Sequence, residues 1–461
     1  MEGNHSGLGS GLRQRHVTML SIAGVIGAGL FVGSGHAIAE AGPAAFLAYA
    51  AAGALVVLVM RMLGEMAIAQ PDSGSFSTYA DRAIGPWAGF TIGWLYWWFW
   101  VLVIPIEATA AATILNTWFP AVATWMFALL ITCALTLTNL FSVKHYGEFE
   151  FWFALVKVVA IVAFLLVGSA AVLGVLPGAQ VSGAMRLVDR GGFMPNGIGA
   201  VLAAMLTTMF SFLGTEIVTI AAAESDDPRR QIVRATRSVI WRISLFYLGS
   251  IFLVAAIVPW DDPLLREHGS YQRAMELIGI SNAKAIIDVI VLVSVASCLN
   301  SALYTASRML FSLSRRQDAP AFLQRTDAGG TPCAAVLAST VFGFLTVIAN
   351  YAMPEHVFGF LLATSGAIAL LVYLVIAISQ LRMRRMLQAS AVSLPLRMWL
   401  FPWLTWGVIV FICAVLAAML WREDHRMEVS ATALLTLLVL AASRLTRRRR
   451  AHGAPVRGSA R

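Results

Sequence analysis

The chain has 461 residues, 59% of them apolar and only 12% charged, with a net charge of +9 and a mean hydropathy of +0.77. A soluble domain carries about 25% charged residues and rarely exceeds about 50% apolar ones, so this composition excludes a soluble fold and describes a polytopic membrane protein. A basic balance can signal nucleic-acid binding, but here the basic residues lie between apolar runs and at the C-terminus, where membrane topology accounts for them.

In chain order, residues 1–17 form a short polar tail. Arg13, Arg15 and His16 precede the first apolar run, and Ala37-Ile38-Ala39 is an A-x-A pattern, the outline of a cleavable signal. The run is glycine-rich, is longer than a signal's apolar region and leads straight into another apolar run, so a membrane span is expected instead. Spans of about 20 mostly apolar residues follow at 18–39, 44–69, 87–117, 122–141, 150–175, 197–222, 239–259, 284–312, 334–351, 356–380, 399–421 and 428–443. These twelve helices make residues 18–443 one all-α transmembrane domain, followed by a basic tail at 444–461 that contains "RLTRRRR". With the N-terminus placed inside, inner segments hold 25 lysines and arginines and outer loops hold 7. That bias puts both termini in the cytoplasm. The arginine tail reads as a cytoplasmic anchor or a cluster for membrane lipid. Cys133, Cys298, Cys333 and Cys413 are scattered and suggest neither a disulfide framework nor a metal site.

Two spans carry matching weak points. Span 1 contains "GVIGAGLF", Gly24 to Phe31, with three glycines in six residues. Gly29 and Gly33 also form a G-x-x-x-G, a close-packing motif of membrane helices. Five spans later, "MFSFLGTE", Met209 to Glu216, combines Gly214 with Ser211, Thr215 and a carboxylate. In hydrocarbon, non-helical backbone survives only where it lines a cavity or is buried in protein. Paired breaks in the first helices of two five-span halves are how many transporters build a site, with half-helix N-termini facing an anionic group. The spacing therefore predicts a five-plus-five inverted repeat with discontinuous helices 1 and 6 and two appended spans.

Ionisable groups deep in a membrane cost from about 3 to over 10 kcal/mol and are functional candidates by default. Three stand out: Glu107 in span 3, Lys157 in span 5 and Glu216 in span 6. Lys157 lies about 10 Å into its span at 1.5 Å per residue, and either snorkels or needs buried partners. Glu216 directly follows the break in span 6, where tying loose backbone and coupling to protons both suit a carboxylate. Glu107 follows Pro105 and either reads a substrate amine or faces an outer vestibule. "GWLYWWFW", Gly93 to Trp100, fits an interfacial belt or, through Trp97 and Trp98, a cation–π wall for an ammonium group. Phe210 and Phe212 flank the second break and are gate candidates or core packing.

"GVIGAGLF", "SFLGTE" and "ESDDPRR" resemble the amino acid permeases of the amino acid–polyamine–organocation superfamily, over nearly the whole chain. The stretches Gly74–Ala108 and Ser297–Leu313 are most similar to its bacterial 4-aminobutyrate (GABA) permeases. Sister permeases for aromatic amino acids, proline and lysine share much of the pattern, so a same-fold permease or exchanger for such an α-amino acid is the alternative. The resemblance implies a LeuT-type fold, a cytoplasmic (inner) membrane location in a bacterium, and proton-coupled import by alternating access. No cofactor, metal or covalent chemistry is implied. It also implies a substrate site made of Val25, Ile26, Gly27, Ala28 and Gly29 with Phe210, Ser211, Leu213 and Gly214, beside Trp97, Trp98 and Glu107. Ala28 and Gly29 would present N–H groups to the substrate carboxylate, and carbonyls near Val25, Phe210 and Leu213 would face the amine. Phe210 is the implied gate, and Lys157, with Glu216 near the site, is implied in proton coupling. GABA has no α-side chain and its amine lies three methylenes from its carboxylate, so Glu107 or the Trp97–Trp98 face is the other candidate for that amine. A nutrient sensor of similar fold would be expected to carry a sizeable soluble extension, and a membrane enzyme a nucleophile–base or metal cluster. Neither pattern is present.

Overall fold

The structure, a computed structural model, describes residues 14–453 except 24, 25, 28, 142, 177–180, 182, 213, 226, 328, 353, 390–393 and 422. All regular elements among the described residues are helical. Span 1 is α1 (Gln14–Ala23), a break, one π turn at Gly29–Gly33 and α2 (Ser34–Ala41). Span 2 is α3 (Ala45–Ala69), and the short α4 (Ser75–Ala83) lies in the link that follows. Spans 3, 4 and 5 are α5 (Pro86–Trp118), α6 (Thr124–Leu140) and α7 (Val143–Val172). Span 6 is again divided, into α8 (Gly197–Phe212) and α9 (Ile217–Ala223). Span 7 is α10 (Pro228–Arg242) and α11 (Gly249–Ile257) joined by a π segment, Ile243–Leu248. Two short helices, α12 (Leu264–His268) and α13 (Ser270–Ile278), cover the link to span 8, α14 (Ala283–Arg315). Spans 9 to 12 are α15 (Cys333–Ala352), α16 (Pro354–Ala389), α17 (Trp403–Trp421) and α18 (Glu423–Gly453).

Each of the twelve expected spans thus coincides with a helix or a helix pair. Their ends differ where packing or charge overrides hydropathy. The last helix continues past residue 443 through the arginines, and α1 begins at Gln14, inside the expected tail. The short α4, α12 and α13 are too brief and polar for a hydropathy pattern to reveal. Local chemistry explains several starts and stops. Pro86 and Pro228 open α5 and α10 at the first position, where a missing N–H costs nothing. Asp227 caps α10 by accepting from Arg230 N at 3.2 Å. α13 ends at Gly279, which takes the left-handed φ of 88° that suits glycine.

The arrangement separates a packed interior from a lipid-facing rim. The apolar window of α16 is 78% buried, whereas that of the final helix is 17% buried. Trp403 and Trp421, at the two ends of α17, are among the most exposed aromatics, as an interfacial belt requires. The two interrupted spans meet in the interior, with the π turn of span 1 packed on α8. Spans 3 and 8, the third members of the two halves, share the most extensive helix contact, α5 on α14.

The end carrying the arginine-rich links is termed inner. There, Glu65 of α3 accepts from Arg384 Nη1 at 2.5 Å, Met398 N at 2.7 Å and Gln380 Nε2 at 3.2 Å. This buried carboxylate ties span 2 to span 10 and to the chain before α17. Arg384→Ala leaves that carboxylate with neutral donors alone and is expected to destabilise the fold by about 3–5 kcal/mol. A lower midpoint of thermal aggregation in detergent is the readout, and an unchanged midpoint would show that the pair contributes nothing.

Candidate functional site

The break in span 1 is held by a cation. Lys157, fully buried on α7, donates to the Ile26 carbonyl at 3.1 Å and to Ser297 Oγ of α14 at 2.8 Å. It therefore does not snorkel. The carbonyl it satisfies is one that the helix released when it unwound. The break in span 6 is held by an anion. Gly214 takes a φ of 100°, which favours glycine, and its N–H donates to both oxygens of Glu216 at 3.1 and 3.2 Å. Tyr96 of α5 donates to Glu216 Oε1 at 2.8 Å. Thr215 Oγ1 returns a bond to the Phe212 carbonyl at 2.7 Å and accepts one from Arg242 at 2.7 Å. The Glu216 carboxylate is thus engaged in tying the loosened backbone.

The two breaks face one small cavity of about 10 Å³, close to the space that one water needs. Gly27 and Gly29 form one side, Phe210 and Ser211 the second, and Phe99, Trp100, Val103 and Glu107 of α5 the third, with Cys298 of α14 beside them. Approach here is backbone-close. A methyl group on Gly27 would stand 2.5 Å from Glu107 Oε1 and 2.7 Å from Cys298 Cβ. One on Gly29 would stand 2.9 Å from Ser211 Cα. The outer half-helix begins at Gly29, which lines this cavity, so its first N–H groups lack intrahelical partners there.

Several expected site residues lie elsewhere. Trp97 donates its indole N–H to Ser339 of α15 at 3.0 Å and packs on Phe342, and Trp98 lies beside it with its ring tilted by 50°, outside the cavity. The reason is helical phase: at 100° per residue, Phe99, Trp100, Val103 and Glu107 share about 100° of arc, and Trp98 falls on the opposite side. Phe212 is buried against Tyr247 at 4.5 Å and Tyr49 at 5.8 Å, so only Phe210 of the two gate candidates reaches the cavity. Gly214 shapes the turn rather than the wall. Val25, Ala28 and Leu213 lie outside the described residues. Sequence reasoning missed Phe99, Trp100, Ser297 and Cys298, although the last two sit in the stretch that carried the family resemblance. It also counted too few deep charges, since Glu65, Glu150, Glu224, Arg242 and Arg308 are buried as well.

Two larger cavities lie at the ends. The outer one, about 400 Å³, is lined by His36, Thr113, Arg266, Glu267, Lys284 and Asp288 among others. The inner one, about 530 Å³, is lined by Asp72, Thr78, Asp81, Arg82, Arg315 and Arg316 among others. Helix α14 lines all three, with Asp288 outside, Cys298 in the centre and Arg315 inside. The central chamber thus lies between two vestibules along α14. Gly29→Ala, which drives a methyl into the α8 backbone, is expected to cut uptake of labelled amino acid at least about tenfold. Gly407→Ala on α17, where an added methyl meets nothing within 4 Å, is the control expected to match wild type. Equal uptake by both variants would show that the two breaks need no close contact.

The chain resembles known proteins throughout its length. The family model for amino acid permeases matches residues 16–450. A protein of Pseudomonas aeruginosa described as a "Probable GABA permease" is 68% identical over 447 residues, covering 97% of this chain and 94% of that protein. The gamma-aminobutyric acid permease of Escherichia coli K12 is 65% identical, covering 94% of this chain and 93% of that one. Among solved structures, a manganese transporter of Eremococcus coleocola aligns with a TM-score of 0.56 at 14% identity, over 93% of this chain and 92% of that one. That likeness speaks to the fold alone. The chain belongs to the amino acid permease family, and is a transporter rather than an enzyme.

Proposed function

We propose that the protein imports GABA, or a closely related small amino acid, together with protons across the bacterial inner membrane, with both termini in the cytoplasm. The observation that carries the coupling is the bond from Lys157 to the Ile26 carbonyl, 3.1 Å long, inside the interrupted span. The identities of 65–68% to GABA permeases support the substrate.

In this reading the substrate carboxylate docks on the bare N–H groups at the start of the outer half-helix, where the helix dipole favours an anion. Glu107 is the one carboxylate among the residues lining the central cavity, and Phe99, Trp100 and Phe210 supply ring faces around it. An ammonium group is attracted by both. Protonated Lys157 holds the unwound backbone of span 1 against spans 5 and 8. Loss of that proton weakens the bond to Ile26 and lets the inner half of span 1 move. Alternating access then follows from opening one vestibule to the chamber while the other stays closed. Glu216 contributes by fixing the shape of the second break.

The test is uptake of labelled GABA into proteoliposomes under an imposed pH gradient, with unlabelled amino acids as competitors. The gradient is expected to drive accumulation, and GABA analogues to compete. Uptake indifferent to the gradient would contradict symport. Competition by aromatic or basic α-amino acids, with none by GABA analogues, would contradict the substrate assignment. Lys157→Ala is expected to weaken gradient-driven uptake more than GABA–GABA exchange, and equal loss of both would make Lys157 structural.

A further inference from the structure

Lys157 does not meet its buried counter-charge directly. Its Nζ lies 4.0 Å from Glu150 Oε1, beyond a charge-assisted hydrogen bond, which runs about 2.7–2.9 Å. Between them stands Ser297 of α14. Its hydroxyl accepts from Lys157 at 2.8 Å and donates to Glu150 Oε1. All three side chains are buried to within 1% of full burial. A pair placed only to neutralise charge gains most by direct contact, because an intervening hydroxyl lengthens the separation without adding charge. A hydroxyl that accepts from an ammonium and donates to a carboxylate has the connectivity needed to pass a proton.

The direction is set by the helix. Glu150 and Lys157 are seven residues apart on α7, two turns along one face, with Glu150 nearer the inner end by about 10 Å along the axis. Asn300 and Ser301 of α14 are further polar neighbours of the Glu150 carboxylate. One turn farther in, Tyr146 shares a hydrogen bond of 3.2 Å with Ser301 Oγ. A polar column therefore runs from the break in span 1 through Ser297 and Glu150 to the Tyr146–Ser301 pair, nearer the inner end.

We propose that Glu150 is the proton acceptor from Lys157 and the residue that releases the coupled proton on the inner side. This rests on the proton-symport reading above. In the step, a Lys157 Nζ–H bond breaks as that proton passes to Ser297 Oγ. Ser297 gives its own hydroxyl proton to Glu150 Oε1. The products are a neutral amine, an unchanged serine and a carboxylic acid, so charge and atoms balance within the triad. The proton enters Lys157 from the outer side with the substrate and leaves Glu150 to inner water when the inner end opens. The ionisable groups facing this column are Tyr146 of α7, Cys298, Tyr304 and Arg308 of α14, Glu224 after α9, and Glu107 of α5. Glu148 of α7 is held by Arg15 and His16 of α1 near the inner end.

The experiment uses the full-length protein in liposomes loaded with a pH-sensitive dye. It compares GABA-dependent proton entry with GABA–GABA exchange at equal pH on both sides. In Glu150→Gln, proton entry is expected to fall at least about tenfold and gradient-driven uptake to lose its pH dependence, while exchange falls less than about threefold. Glu150→Asp is expected to restore part of the proton flux. Wild-type protein that exchanges GABA without moving protons would defeat the symport reading and this proposal with it. Wild-type flux retained in Glu150→Gln would defeat this proposal alone. Equal loss of flux and exchange, unrelieved by Glu150→Asp, would reduce Glu150 to a structural counter-ion and overturn the proposal too. Should Glu150→Gln fail to fold, Ser297→Ala keeps both charges and removes the bridge. It is expected to slow proton entry severalfold, and unchanged entry would overturn the relay.

Discussion

A peptide group without a partner in hydrocarbon costs several kcal/mol, and this chain leaves the helix twice in the middle of its transmembrane core. Everything around the two breaks answers that cost. The Ile26 carbonyl takes the Lys157 ammonium, the Gly214 N–H takes the Glu216 carboxylate, and Phe212 and Ser211 carbonyls accept from Thr215 and Tyr247. Lys157 and Glu216 sit where the backbone is open, and each reaches in to satisfy it. Each also answers to its own neighbours: Lys157 to Ser297 and Glu150, Glu216 to Tyr96. A change of protonation at Lys157 is thereby a change in the backbone of span 1, which links a proton to a half-helix in the proposed cycle.

The same economy governs the ends. On the inner side Arg308 meets Glu224 at 3.4 Å with its guanidinium over the Tyr304 ring, while Arg15 and His16 meet Glu148. On the outer side Ser34 and Ser270 share a hydrogen bond of 2.5 Å, and Ser270 also donates to the Phe31 carbonyl. These contacts join the interrupted spans, or the chain adjoining them, to the helices and links around them. Arg308–Glu224 is a buried ion pair, which roughly breaks even against hydration, and Arg15–Glu148 is partly exposed, so exchanging either contact for water carries a small net cost. That is the property the proposed alternating access requires.

The spans and the breaks were legible because hydropathy and glycine placement report them directly. Gly24, Gly27 and Gly29 against Gly214 marked the two openings, and Lys157 stood out as a charge in an apolar run. Facing was not legible. Span 3 is apolar all round, so no periodicity distinguished the wall formed by Phe99, Trp100 and Glu107 from the side that carries Trp98. Glu150 was hidden at the polar edge of its span, where a charge is ordinary. Arg242 and Arg308 stand near the inner ends of spans 7 and 8, where a charge is ordinary, yet both are buried by the helices packed around them. Burial of this kind is set by tertiary packing, which a single sequence does not encode locally. The short α4, α12 and α13 were missed for a different reason, since each is too brief and polar to register as an apolar run.

The central claim is that the opened backbone of span 1 holds the substrate carboxylate. An experimental structure of the protein with GABA bound tests it most directly. The account predicts carboxylate oxygens within hydrogen-bond distance of the N–H groups at the start of the outer half-helix, with the ammonium toward Glu107. A carboxylate resting instead on Lys157, or on the arginines of either vestibule, would contradict it.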